Sequence, residues 1–255
     1  MQIGGKHEGL ETLCNILVGV IANTIFFVML LAVAGGWYLS RRRALLFLFS
    51  VKRTKRLIIY LSRVEVMMGG SRGLDGQPRS FAGPTVTASE ASAAAALASI
   101  FEHLIPGLES QPGILRTLFS RDVSVVTLPS PTSMQEVPTD TTIVTVGSPV
   151  YNIVSQWAEQ QLGPKVSFSP NRPELVANGR PFPDPTIGMV QVLYDAQHDR
   201  RVFYVGGIAE QGTRAGLIYL ALNWRELRKN LGKDRVYAGL VQFSDNGVRL
   251  TETIH

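Results

Sequence analysis

The chain has 255 residues, 45% of them hydrophobic and 18% charged, with a formal net charge of +5. One cysteine excludes an intrachain disulfide and a Cys-rich metal pattern, and four histidines without ligand spacing supply no zinc site. The charged fraction is low for a wholly soluble chain, so a membrane segment is expected beside one sizeable domain.

The first element is the uncharged run Leu13 to Leu39, "LCNILVGVIANTIFFVMLLAVAGGWYL". A helix needs about 20 apolar residues to cross a bilayer, so this run is long enough to span. A cleavable signal peptide has a shorter apolar core preceded by positive charge, and here the positive charge follows. Trp37 and Tyr38 fall where an interfacial aromatic belt sits, and Arg41, Arg42 and Arg43 come next. The positive-inside rule then puts residues 1–12 outside, 13–39 across a cell inner membrane and the remainder in the cytoplasm. Much of the basic charge lies between Arg41 and Arg63, which reads as attraction to anionic lipid; no direct binding of duplex nucleic acid is expected. Asn15, Gly19 and Asn23 are spaced by four and share one helix face, a pattern that favours a partner helix. Residues 40–56 read as a basic juxtamembrane linker, in which "ALLFLF" (44–49) either continues the helix or lies in the interface.

A soluble domain is expected over 57–255. "LIIYLS" (57–62) reads as a first strand, and the Gly-rich stretch 67–84 as a loop. A slim, alanine-rich helix is expected over 89–103, with Thr87 and Glu90 at capping-box spacing. "VSVVTL" (123–128) and "TIVTVG" (142–147) both read as buried parallel strands. A helix follows over 150–162 and a short strand over 165–169, and the Pro/Asn-rich stretch 171–185 reads as a loop. "MVQVLYD" and "RRVFYVGG" flank a hairpin turn, one long helix is expected over 213–231, and Asn-Gly at 246–247 marks a closing hairpin. This alternation predicts an α/β fold: a Rossmann-like three-layer sandwich with a mostly parallel sheet and edge hairpins.

In an open α/β sheet, ligands bind beyond the carboxyl ends of the strands. Three loops qualify. The first carries Ser62, Arg63 and Gly70; the second Gly147, Ser148, Tyr151 and Asn152; the third Gly206, Gly207, Gly212, Thr213 and Arg214. Glycine permits close backbone approach, free N–H groups at a helix start favour an anion, Thr213 is placed to cap a helix, and Arg214 suits a phosphate. None matches a P-loop or GxGxxG. No nucleophile–His–acid set stands out, and Glu90 reads as a helix-capping residue.

Two resemblances bear on function. "SPVYNIVSQWAEQQL" (148–162), with "LIIYLSR" as a first strand, resembles TIR domains, in which a serine-started segment leads to a tryptophan and a glutamate. That likeness implies NAD cleavage with Glu159 as the catalytic carboxylate, although Glu159 stands only two residues after Trp157, closer than in the family. The anchor, the "IIYLSR" strand and the late "GGIAEQGTRAG" loop are together similar to membrane-anchored sensors of prokaryotic defence systems with CARF-type architecture. That likeness implies a cyclic nucleotide or oligonucleotide bound at a dimer interface. The reading from sequence is therefore a single-pass, homo-oligomeric membrane effector in antiviral defence that senses a nucleotide-type ligand. The alternatives are a TIR-like NAD-cleaving or nucleoside-processing enzyme using Glu159 or Glu90, and a non-catalytic membrane adaptor.

Overall fold

The structure, a computed structural model, describes residues 5–49, 56–65, 68–72, 78–81, 84–85, 87–104, 124–231, 236–244 and 247–254. The chain divides into two compact units, with the boundary between Arg43 and Ala44.

The first unit consists of the helix α1 (Gly5–Leu48) as far as Arg43. Over Val20–Leu48 this helix is long and apolar enough to cross a membrane by length and composition. Its polar groups are handled locally. Thr24 donates its hydroxyl to the Val20 carbonyl at 2.8 Å, and the Arg41 guanidinium lies 3.6 Å from the Trp37 ring centre. Asn23 is exposed on the helix; Asn15 and Gly19 lie in the same helix, where only the backbone is described.

The second unit is mixed α/β. In chain order it contains β1 (Arg56–Leu61), β2 (Val64–Glu65), β3 (Met68–Arg72), β4 (Pro78–Phe81), β5 (Pro84–Thr85), α2 (Ala88–Leu104), β6 (Ser124–Pro129) and β7 (Thr141–Val146). Then come α3 (Ile153–Gln161), β8 (Val166–Phe168), β9 (Leu175–Ala177), β10 (Arg180–Phe182), β11 (Ile187–Asp195) and β12 (Arg200–Gly207). It closes with α4 (Glu210–Leu222), α5 (Trp224–Asn230), β13 (Tyr237–Ser244) and β14 (Gly247–Thr253). Seven strands form the main sheet in the order β14-β13-β11-β12-β7-β1-β6. β6, β1, β7 and β12 run parallel; β11 is antiparallel to β12 and β13, and β14 is antiparallel to β13.

Alternate residues of each strand point to opposite faces, so each central strand feeds two cores. Leu57, Ile59, Leu61, Val144, Val146, Phe203 and Val205 pack with α2, α4, α5 and the last turn of α1. Ile58, Tyr60, Ile143, Val202 and Tyr204 pack with α3, β8 and β9. The sheet is thus covered on both faces.

Several segments differ from their sequence reading, each for a local reason. β7 is buried throughout, but β6, of similar composition, is an edge strand with Val126 and Leu128 exposed. The expected loop 67–84 contains the antiparallel ribbon β3–β4 and is bracketed by a second, β2–β5. The stretch 171–185 holds β9 and β10, turned at Asn178 and Gly179 with φ of 49° and 75°. That is the two-residue hairpin geometry that Asn-Gly favours. The expected helix 213–231 is two helices that meet at Asn223. Segment 44–49 follows the first of its two readings: it continues α1 as far as Leu48, and its Leu45, Leu48 and Phe49 side chains are core residues of the second unit. Phe49 stacks on Phe203 at 4.3 Å and meets Phe101 edge-on at 4.8 Å.

Candidate functional site

Because β6, β1, β7 and β12 are parallel, their carboxyl ends share one edge of the sheet. β1 lies between β6 and β7, so chain order reverses there. α2, which follows β1, covers one face, and α3, which follows β7, covers the other. Such a switch point leaves a crevice between neighbouring strand ends, where ligands of open α/β sheets sit.

The residues ending β1 and β7 meet there. Ser62 Oγ lies 3.3 Å from Glu90 Oε1 and 3.3 Å from the Val146 carbonyl. Gly147 donates its N–H to the Val205 carbonyl at 2.8 Å and has φ +92°. A Cβ on Gly147 would stand 1.9 Å from Ser62 Oγ, so only glycine lets the serine sit there. The Arg63 N–H donates to the Tyr151 carbonyl at 2.8 Å, which ties the first loop to the second. Tyr151 and Val150 are exposed at this edge.

Asn152 is buried and caps α3. Its Oδ1 accepts from the N–H of Val154 and Ser155, while its Nδ2 donates to the Tyr60 and Val146 carbonyls. Ser130, just past β6, accepts the Ile153 N–H at 3.0 Å, and the Gln156 N–H goes to the Asn152 carbonyl. The first turn of α3 therefore has its N–H groups occupied by the protein, and no backbone donor is left for an anion. Ser130 escaped the sequence reading, although it follows a parallel strand as Ser62 does.

Glu90 is the group with capacity to spare. Thr87 Oγ1 accepts the Glu90 N–H at 3.3 Å, the backbone half of the capping box. The carboxylate does not return to Thr87; it turns to Ser62 and is 6% exposed. Its Oε2 has no hydrogen-bond partner among the described residues. Burial pushes the Glu90 carboxyl above the usual glutamate range; hydrogen bonding from Ser62 opposes this, and the charge of Glu210 adds to it.

The third loop is built differently. A Cβ on Gly207 would meet the Thr213 N at 2.4 Å, one on Gly212 the Ile187 carbonyl oxygen at 2.3 Å, and one on Gly206 the Met189 Cε at 2.9 Å. The close approach at Gly207 and Gly212 is to the protein's own backbone, where α4 docks on the sheet. Ala209, not Thr213, is the N-cap of α4; Thr213 is buried, with Oγ1 3.4 Å from the Gly207 and Ala209 carbonyls. Arg214 is exposed, 5.8 Å from the Phe243 ring on β13, and so leans away from β1 and β7. Gly70 lies in β3, and Ser148 opens the turn whose carbonyl accepts the Tyr151 N–H.

Glu159 is half-buried on α3 and committed. Its Oε1 accepts from the Phe168 N–H at 3.0 Å and the Tyr204 hydroxyl at 2.9 Å, which holds β8 and β12 to the helix. Burial raises its pKa against those two hydrogen bonds. Near the other end of β12, His198 and Arg200 both contact buried Asp195, at 2.7 and 2.9 Å. Burial alone would raise the Asp195 pKa; the two hydrogen bonds and the Arg200 charge outweigh it and hold the carboxyl below its usual range. Among the described residues no group of three or more His, Cys, Asp or Glu is arranged to hold a metal.

No protein-family model, curated protein or solved structure matches this chain.

Proposed function

We propose that this protein is a single-pass membrane receptor whose Rossmann-like unit binds a small nucleotide-type ligand at the β1/β7 switch point. The observation that carries this reading is the convergence there of two pairs: Ser62 with Glu90, and the backbone of Arg63 with that of Tyr151. Glu90 Oε2 has no hydrogen-bond partner among the described residues, Tyr151 is exposed, and Arg63 brings a cation. A base stacks on the tyrosine, the arginine faces a phosphate, and Glu90 with Ser62 reads a base amine or ribose hydroxyl. Because the α3 N–H groups are occupied, the phosphate is held by side chains rather than by a helix terminus. The uncharged run before Arg41 supports a lasting anchor, and the Asn15/Gly19/Asn23 stripe supports self-association in the bilayer. The defence role rests on the CARF-type likeness alone, and the binding reading does not depend on it.

The test is a thermal-shift screen of the detergent-solubilised full chain against linear and cyclic nucleotides and NAD. We expect a nucleotide to raise the melting temperature. Loss of one stacking contact in Tyr151→Ala should weaken that ligand about tenfold, and Glu90→Gln by a similar factor. A folded chain that responds to none of the panel would overturn the reading.

A further inference from the structure

The last turn of α1 is surrounded by a surface that ligand binding at the β1/β7 edge does not use. Leu227, Trp224 and Leu231 belong to the same core cluster as Leu45, Leu48 and Phe49, and Arg228 brings α5 to Phe47 in the last turn of α1. The outer side of α5 carries Arg225, Arg228 and Lys229, all exposed, with Glu226 as the one acidic residue among them. The Arg228 guanidinium lies 5.6 Å from the Phe47 ring, and that of Arg225 lies 5.2 Å from the Trp224 ring. Two large apolar side chains stand uncovered beside these cations: Leu222 is 70% exposed and Phe47 48% exposed. Phe47 is only four residues after Arg43 in the sequence, and about 5–8 Å of each leaflet lies outside the hydrocarbon.

We propose that α5, with Leu222 and Phe47, is a lipid-binding face that lies on the anionic headgroups of the bilayer crossed by α1. This rests on α1 being a membrane span. Charge complementarity selects the occupant: three cations against one carboxylate suit an anionic surface, and the two apolar side chains suit the headgroup–acyl boundary. The face is part of the second unit, so lipid composition would act on the domain that carries the candidate ligand site.

The test uses the full chain with Cys14→Ser, reconstituted in nanodiscs of phosphatidylcholine with or without phosphatidylglycerol. An environment-sensitive dye is placed at Leu222→Cys or, as a control on the opposite face of the sheet, at Gln160→Cys. Spin-labelled lipid should quench the dye at 222 several-fold more than at 160 when phosphatidylglycerol is present. The triple variant R225E/R228E/K229E should remove that difference. Equal quenching at both positions, or a difference that survives charge reversal, would overturn the proposal. Protection of position 222 in detergent without lipid would also overturn it and would identify a second copy of the chain as the occupant. Failure of the chain to co-purify with the discs would overturn it at its premise, the membrane span, and is read separately from quenching.

Discussion

Arg201 donates from Nη1 to the Leu48 carbonyl at 2.8 Å, joining β12 to the last turn of α1. The same nitrogen reaches the Phe47 carbonyl at 2.7 Å, and Thr142 Oγ1 donates to the Phe49 carbonyl at 2.6 Å. A helix leaves its last carbonyls without partners, and its C-terminus attracts positive charge. Arg201 meets both needs inside the core.

Arg201→Met should therefore lower the stability of the full chain in detergent by about 2 kcal/mol, the scale of a lost charged hydrogen bond. The Phe49 amide, which donates to the Leu45 carbonyl at 3.0 Å, should exchange faster with solvent. Denaturant unfolding and hydrogen exchange read the two effects. An unchanged midpoint would mean that solvent replaces the arginine at no cost.

Glu90 predicts a pH dependence of definite sign. Its folded pKa is raised by burial, so between the ordinary glutamate value and the raised one the folded state binds more protons than the unfolded state. Stability from this group is present in acid and is lost as pH rises through that window. Glu90→Gln should remove this component, and its stability relative to wild type should increase with pH. Parallel pH curves for the two proteins would show that Glu90 titrates normally.

Gly147 and Ser62 should be coupled. Gly147→Ala places a methyl 1.9 Å from Ser62 Oγ at a φ of +92°, and should cost about 3 kcal/mol from strain and overlap together. Ser62→Ala in the same chain removes the overlapping oxygen and leaves its Cβ at 3.3 Å. The double variant should be more stable than additivity predicts by about 1 kcal/mol. Strict additivity in denaturant unfolding would contradict the packing described.

Two further glycines separate backbone conformation from close packing. Gly179→Ala meets nothing within 4 Å and bears only the strain of φ 75°, so about 1 kcal/mol is expected. Gly207→Ala meets the Thr213 N at 2.4 Å, where backbone must move, and should destabilise the fold by 3 kcal/mol or roughly that. That loss should appear with or without nucleotide. A Gly207→Ala chain of normal stability would return the third loop to the ligand site.

The candidate site was only partly legible beforehand. Ser62, Gly147 and Asn152 could be picked out because glycine and small polar residues close apolar runs at the ends of parallel strands. What each polar group does was not legible, because hydrogen-bonding partners come from distant segments. Asn152 spends both ends of its amide on Tyr60, Val146 and the α3 backbone, and Ser130 fills the remaining donor. Glu90, read as a cap, turns to Ser62, 28 residues earlier in the chain.

Local pattern by itself determined the apolar helix, the main strand runs and the alternation of strand and helix, since each depends on residues near in sequence. It also held the Asn178–Gly179 turn, although the prolines around it disguised the strands. Only the tertiary structure decided that β6 stands at an exposed edge while β7, with the same kind of side chains, is buried. Burial depends on the neighbours a strand acquires, and strand order is not a local property. The same reason assigns the end of α1 to the core. "ALLFLF" is equally apolar in lipid or in protein, and only Phe203, Phe101, Thr142 and Arg201, brought together by folding, make protein the solvent of its Leu45, Leu48 and Phe49 side chains.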